Sequence, residues 1–204
     1  MTEQNFARLT AWLLSVVRKG GMQFVFDEPK AAEAAARLVQ LGGGRMSVLK
    51  LIKLLYLADR RSLVETGFPI TQDQMVSMPH GPVLSTVYNR IRDDRAIRSA
   101  TFDRYIKNVG NHTLELVEAP PEIGRLSRYQ MALLGETFRM YGGWPESRLR
   151  KYTHDLPEWH DPAGSMIPIQ HIEIFRGEGQ TKEQIDWRER LADSFAKIES
   201  RSTA

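Results

Sequence analysis

Between Ser47 and Gly67 the chain reads VLKLIKLLYLADRRSLVET, a run that leaves little room for anything but one long helix. Ser47 is a good N-cap, because its hydroxyl can accept from an orphan amide of the first turn, and Gly67 can take the left-handed conformation that closes a helix. Turning 100° per residue puts Val48, Ile52, Leu55 and Leu63 in one sector. Lys50, Lys53, Arg60 and Arg61 fall in a narrow stripe opposite, expected to face solvent. Asp59 falls in the middle of the apolar sector. An ionised carboxylate there is costly without partners, so it is expected to accept backbone amides or to pair with a base.

A chain of 204 residues is long enough to bury one core with appendages around it. Phe6, Leu9, Leu13, Val16 and Val17 give Asn5 to Arg18 a helical period, stopped by Gly20 and Gly21. Asp27 can cap a second helix with Pro29 in its first turn, whose alanine-rich run from Ala31 to Leu41 ends at Gly42, Gly43 and Gly44. Gln74 to Met78 is short and reads as extended. Gly81-Pro82 is expected to open another helix, with Val83, Leu84, Val87, Tyr88 and Ile91 on its buried face. Tyr105 to Val109 and Thr113 to Val117 form a β-hairpin through Gly110-Asn111, since those turn residues tolerate positive φ.

Further along, Ser127 caps a helix with Met131, Leu134, Phe138 and Tyr141 on one side, stopped by Gly142-Gly143. Pro145 to Thr153 should be a short helix leading into a loop that ends at Trp159, and Ile167 to Phe175 is open between helix and strand. Thr181 and Gln184 make a capping box for a terminal helix on which Trp187, Leu191, Phe195 and Ile198 share a face that should dock on the body; Glu199 to Ala204 should fray. The expected fold is mainly α, a compact helical domain with one small β-hairpin or sheet. Residues 1–23 and 177–204 read as helical extensions around a domain at 24–176.

The chain has no cysteine, which removes disulfides, Cys-ligated zinc and catalytic thiols and fits a reducing compartment. No apolar run reaches membrane-spanning length, so the expected location is cytoplasmic and no membrane partner is expected. The net charge of +3 is too small a surplus to predict nucleic-acid binding, and nucleic acid is disfavoured as a partner. Basic residues nevertheless cluster at Arg45 to Arg61, at Arg90 to Arg98, and at Arg148, Arg150 and Lys151.

No P-loop, GxGxxG, GxSxG or HExxH pattern is present, and no cofactor is expected. His154, Asp155, His160, Asp161 and His171 lie close in sequence and have ligand chemistry, yet their spacing matches no usual metal site and reads better as capping and turn chemistry. His80 has the chemistry of an acid or base but no clear partner beside it. A metal-dependent hydrolase built on His80, His154, Asp155 and His160, and a DNA-binding regulator built on the basic clusters, stand as alternatives to a binding module without chemistry.

Three blocks together, KLIKLLYLAD at 50–59, GFPIT with MPHGPVLSTVY at 67–88, and LRKYTHDLPEW at 149–159, resemble the Panacea domain of SocA-like antitoxins. The resemblance runs from about Phe24 to Ile174. It implies a non-enzymatic antitoxin that neutralises a co-encoded protein toxin by direct contact, with presentation of the toxin to a protease as a secondary role. Carried over position by position, the matching residues are Lys53, Tyr56, Asp59, His80, Gly81, Pro82, Val83, Tyr88, Thr153, His154 and Trp159. Most are expected to be structural. Lys50, Arg60 and Arg61, with Lys53 between them, are the exposed candidates for meeting the partner.

Overall fold

The computed structural model describes Met22, residues 24–92 and residues 99–202; the helix expected at Asn5 to Arg18 lies outside them. Eight helices and two small antiparallel sheets follow one another in the described residues. The expectation of a mainly helical domain holds, with more sheet than the single hairpin.

Helix α1 (Glu28–Leu41) is capped by the Asp27 carboxylate, which accepts the Lys30 amide at 3.1 Å. Its alanines at 31, 32, 34, 35 and 36 are completely buried. Small side chains let a helix axis approach its neighbours closely, and α1 packs against the central helix α2 (Val48–Thr66). Both expected caps of α2 are in place. Ser47 Oγ accepts the Lys50 amide at 3.2 Å, and Gly67 sits at φ 87° with its amide on Leu63 O.

The residues just before α2, Arg45–Ser47, form strand β1. It pairs with the hairpin of β4 (Ile106–Asn108) and β5 (Thr113–Leu116), placing Met46 opposite Leu114 and Asn108 opposite the same residue on the other side. This hairpin follows the short helix α4 (Ala100–Tyr105). The second sheet has order β3-β2-β6 and is built from Val83–Leu84, Met75–Ser77 and Ile167–Pro168. Met75 faces Leu84, and Val76 faces Val83 on one side and Pro168 on the other. The Ile167 to Phe175 segment thus divides into strand and helix: β6 ends at Pro168 and α7 (His171–Gly177) begins three residues later.

The expected helix start at Gly81-Pro82 is wrong by several residues. Val83 and Leu84 are taken by sheet pairing, and α3 runs only over Ser85–Ile91. A carboxylate from elsewhere sets the start: buried Asp73 accepts the Thr86 amide at 3.1 Å and the Val87 amide at 2.8 Å, satisfying first-turn donors that no local side chain reaches. Burial pushes the Asp73 carboxyl above its usual range, and these amides pull against it.

Helices α5 (Arg128–Tyr141) and α6 (Glu146–His154) also pack on α2, and α5 begins at the expected Ser127 cap, which forms a full capping box with Gln130. The terminal helix α8 (Lys182–Ser202) starts at its expected box, with Gln184 amide to Thr181 Oγ1 at 3.3 Å and the reciprocal bond at 2.8 Å. It continues past Glu199, where fraying was expected. It docks through only part of the face its apolar spacing suggested: Leu191 is half-buried and the Phe195 ring sits edge-on to Phe68 at 5.1 Å, while the most buried residues lie beside them. Ile185 and Ala192 are buried, while Trp187 and Phe195 remain 54% and 47% exposed. The reason is polar: Arg188, between the two buried residues, donates to Val64 O at 2.8 Å and ties α8 to the carbonyl end of α2, where a cation is favoured.

Candidate functional site

Helix α2 carries Lys53, Tyr56 and the adjacent pair Asp59 and Arg60 over three successive turns, and each reaches a segment outside the helix. Lys53 is the largest departure from expectation. It is 1% exposed, and its ammonium donates to Pro82 O at 2.8 Å, so it does not belong to a solvent stripe. Desolvation, reinforced by the Arg150 charge, draws its pKa down to about 7. One turn on, the buried Tyr56 hydroxyl donates to Glu158 Oε1 at 2.7 Å. Burial and the Glu158 carboxylate push this phenol well above its ordinary range.

Glu158 is itself completely buried and is the junction of the site. Arg60 donates to it through Nε at 2.7 Å and Nη2 at 3.2 Å, and places Nη1 2.7 Å from Glu178. Burial alone would depress the guanidinium, but the two carboxylates outweigh it and hold the pKa above the ordinary value. Asp59, expected to need partners, has them in Thr71: the amide lies 3.1 and 3.3 Å from its two oxygens, and the hydroxyl makes a very short bond to Oδ2. Desolvation raises the Asp59 carboxyl to about 7 against the pull of these bonds.

The 78–83 turn meets the end of α6 at Gly81. Its φ of 92° favours glycine, and a Cβ there would lie 2.8 Å from both His154 Cδ2 and Lys53 Nζ and 2.9 Å from Thr153 Oγ1. Thr153 is buried with its hydroxyl on Leu149 O and Arg150 O, both at 3.0 Å. His154 lies flat on Trp159, ring centroids 4.2 Å apart and planes 6° from parallel, while Trp159 Nε1 donates to Met78 O at 3.2 Å. The His154 Nε2 atom is enclosed and has no hydrogen-bond partner. Burial lowers the His154 pKa, and the charges of Lys53 and Arg150 lower it further. Pro82 and Val83 are buried in the same turn. The two outliers are His80, exposed at its rim, and Tyr88, half-buried on α3 with the Arg92 guanidinium 5.1 Å over its ring.

The expected partner stripe fares differently. Lys50 donates to Gly142 O at 2.9 Å, and Arg61 pairs with Glu65 at 2.6 Å and Glu136 at 2.8 Å. With Lys53 buried and the Arg60 side chain only 12% exposed, α2 has no free basic face. The histidines also separate. His160 is exposed with Nε2 3.6 Å from Glu173, whereas His171 is packed against Phe24 and lowered to about 4 by burial. Among the described residues no three His, Asp or Glu side chains gather as a metal site would need. Sequence reading missed Glu158, Thr71 and Asp73. Glu158 lay inside the third motif block, but nothing local distinguishes an acid in a Pro-Glu-Trp loop from a solvated one.

The site residues on α2, the turn after β2 and the end of α6 fall within residues 51–160, and over those residues the chain matches the model of the antitoxin SocA-like family, Panacea domain. The match covers more than half of the chain. The chain belongs to the SocA-like Panacea family. No curated protein and no solved structure matches it. In this Panacea domain, most of the motif residues act on each other. Lys53, Gly81, Thr153 and His154 form one knot, Tyr56 and Trp159 flank Glu158 in structure and sequence, and Asp59 holds the chain at Thr71. Their chemistry is that of a buried polar network, in which every member positions its neighbours.

Proposed function

We propose that this Panacea domain is an antitoxin that neutralises a co-encoded protein toxin by direct binding and performs no chemistry itself. The family match carries this reading. The geometry supports it through the use made of the reactive groups: Lys53, Asp59, Glu158 and Arg60 are engaged with internal partners, and His154 is pinned under Trp159. A hydrolase would need at least one such group presented to a substrate with a second placed to assist it. His154 and His171 are withdrawn by packing, and His160, exposed with Glu173 3.6 Å from its Nε2, has no further reactive group beside it in the contacts above.

The test is co-expression with the product of the adjacent reading frame. The expected outcome is rescue of growth arrest together with a stable stoichiometric complex on size exclusion. Arrest that persists, with no complex, would end the reading. Following the half-life of the toxin in the same cells separates plain masking, which leaves it unchanged or longer, from delivery to a protease, which shortens it.

A further inference from the structure

The charges of α2 are spent inside the fold, which directs attention to the other basic helix. On α6, Leu149 and Thr153 face the core, and Arg148, Arg150 and Lys151 are exposed. Among the described residues none of these three has an ion-pair partner; Arg148 lies over the Trp144 ring at 3.7 Å instead. Two acids flank them, Glu146 in the first turn and Asp155 at the C-cap, but neither is within pairing distance.

Arg150 and His154 are four residues apart and share a side of α6, the side that meets the His80-Gly81 turn. Beneath them lies the Lys53 ammonium, which uses one of its three donors on Pro82 O. The charges acting on Lys53 and His154 here are of one sign: Arg150 opposes protonation of Lys53, while Lys53, Arg150 and His80 oppose that of His154. Such a locus is held together by the surrounding packing and gains most from an anion arriving at its rim, because the new attraction offsets repulsion already present. The rim is preorganised. Trp159 fixes the His154 ring plane, and Gly81 leaves no side chain between the turn and α6.

We propose that the corner formed by Arg150, His154 and His80 is a docking surface for an acidic segment of the protein partner, with one or two carboxylates seated against Arg150. This rests on the antitoxin reading above and names the chemistry that the toxin presents. A polynucleotide fits less well. Tracking a phosphate backbone takes a row of cations, whereas here the exposed cations lie around one helix of nine residues, with Glu146 and Asp155 bounding them at either end.

The test uses the full-length chain and the product of the adjacent reading frame, with affinity measured for wild type, Arg150→Glu, and Lys107→Glu on the exposed face of β4 as a remote charge reversal. Because Arg150 is exposed and only repels Lys53 and His154, its variant should fold with a thermal midpoint at or above that of wild type. The expected result is a loss of about tenfold or more in affinity for Arg150→Glu, with Lys107→Glu within about twofold of wild type. In the complex, the His154 ring should titrate at higher pH than in the free chain, a change that NMR detects. A wild-type complex that Arg150→Glu forms equally well overturns this docking surface and leaves toxin neutralisation standing. A variant that instead loses retention of random-sequence duplex DNA overturns it in favour of nucleic acid. Absence of any wild-type complex removes the antitoxin reading and this surface with it.

Discussion

Helices α2 and α6 are both rich in basic residues, yet they use them in opposite ways. In α2, Lys53 is buried against Pro82 O, Arg60 meets two carboxylates, and Arg61 bridges Glu65 and Glu136. In α6, Arg148, Arg150 and Lys151 are exposed, with no counter-ion among the described residues. A helical wheel registers both as cationic. The difference arises from what the fold brings against each helix: α2 is central, surrounded by α1, α5, α6 and α7, so its long side chains have acids and carbonyls to meet, while α6 is peripheral. Cation count therefore says little about a binding surface until internal partners are subtracted.

The hardest blow to this picture would come at Glu158. If α2 is basic because the fold consumes its charges, Glu158→Ala should leave Arg60 with only the half-exposed Glu178 and strand the Tyr56 hydroxyl. Breaking one side of a buried ion pair costs about 3–5 kcal/mol, and chemical denaturation should register a loss of that order. A loss below ~1 kcal/mol would mean that α2 tolerates its charges without internal partners.

How much of this was legible beforehand follows the range of the interactions. The caps of α1, α2, α5 and α8 at Asp27, Ser47, Ser127 and Thr181 lie within four residues of what they bond, and all were readable. The start of α3 was not, because its cap is Asp73, in the irregular segment just before β2 and 13 to 14 residues from the amides it accepts. Lys53 was misplaced for a similar reason. Its position opposite Val48 and Leu55 predicts solvent only if nothing covers that side of α2, and the 78–83 turn and α6 cover it. The motif residues were recognisable as a set, but their roles depend on Glu158, which pairs with α2 across about a hundred residues of chain.

A milder challenge concerns Lys53. Its folded pKa of about 7 lies below the ordinary 10.5, so between these values the unfolded chain holds a proton that the folded chain has released. Stability should therefore rise with pH across that window, by up to ~1.4 kcal/mol per pH unit from this group, and the contribution is lost as pH falls towards 7. Lys53→Met keeps the apolar stem and removes the proton. Denaturation midpoints between pH 8 and 10 should climb in wild type and flatten in the variant. Equal slopes would show that Lys53 is hydrated and charged in the fold, returning it to the solvent side of α2.

The smallest effect belongs to Arg61, the one α2 arginine whose partners are near the surface. Its side chain is 36% exposed and those of Glu65 and Glu136 are 39% and 45% exposed, so water and salt compete for every charge involved. Arg61→Ala should cost about 0.5 kcal/mol, shrinking further at high salt, even though its ion-pair count equals that of Arg60. A loss near that expected for Glu158→Ala would show that the bridge to Glu136 fastens α5 onto α2 as firmly as the buried junction fastens the motif segments. Pair count, and not burial, would then set the worth of a cation on α2, and the unpaired arginines of α6 would lose the contrast that singles them out as a surface for a partner.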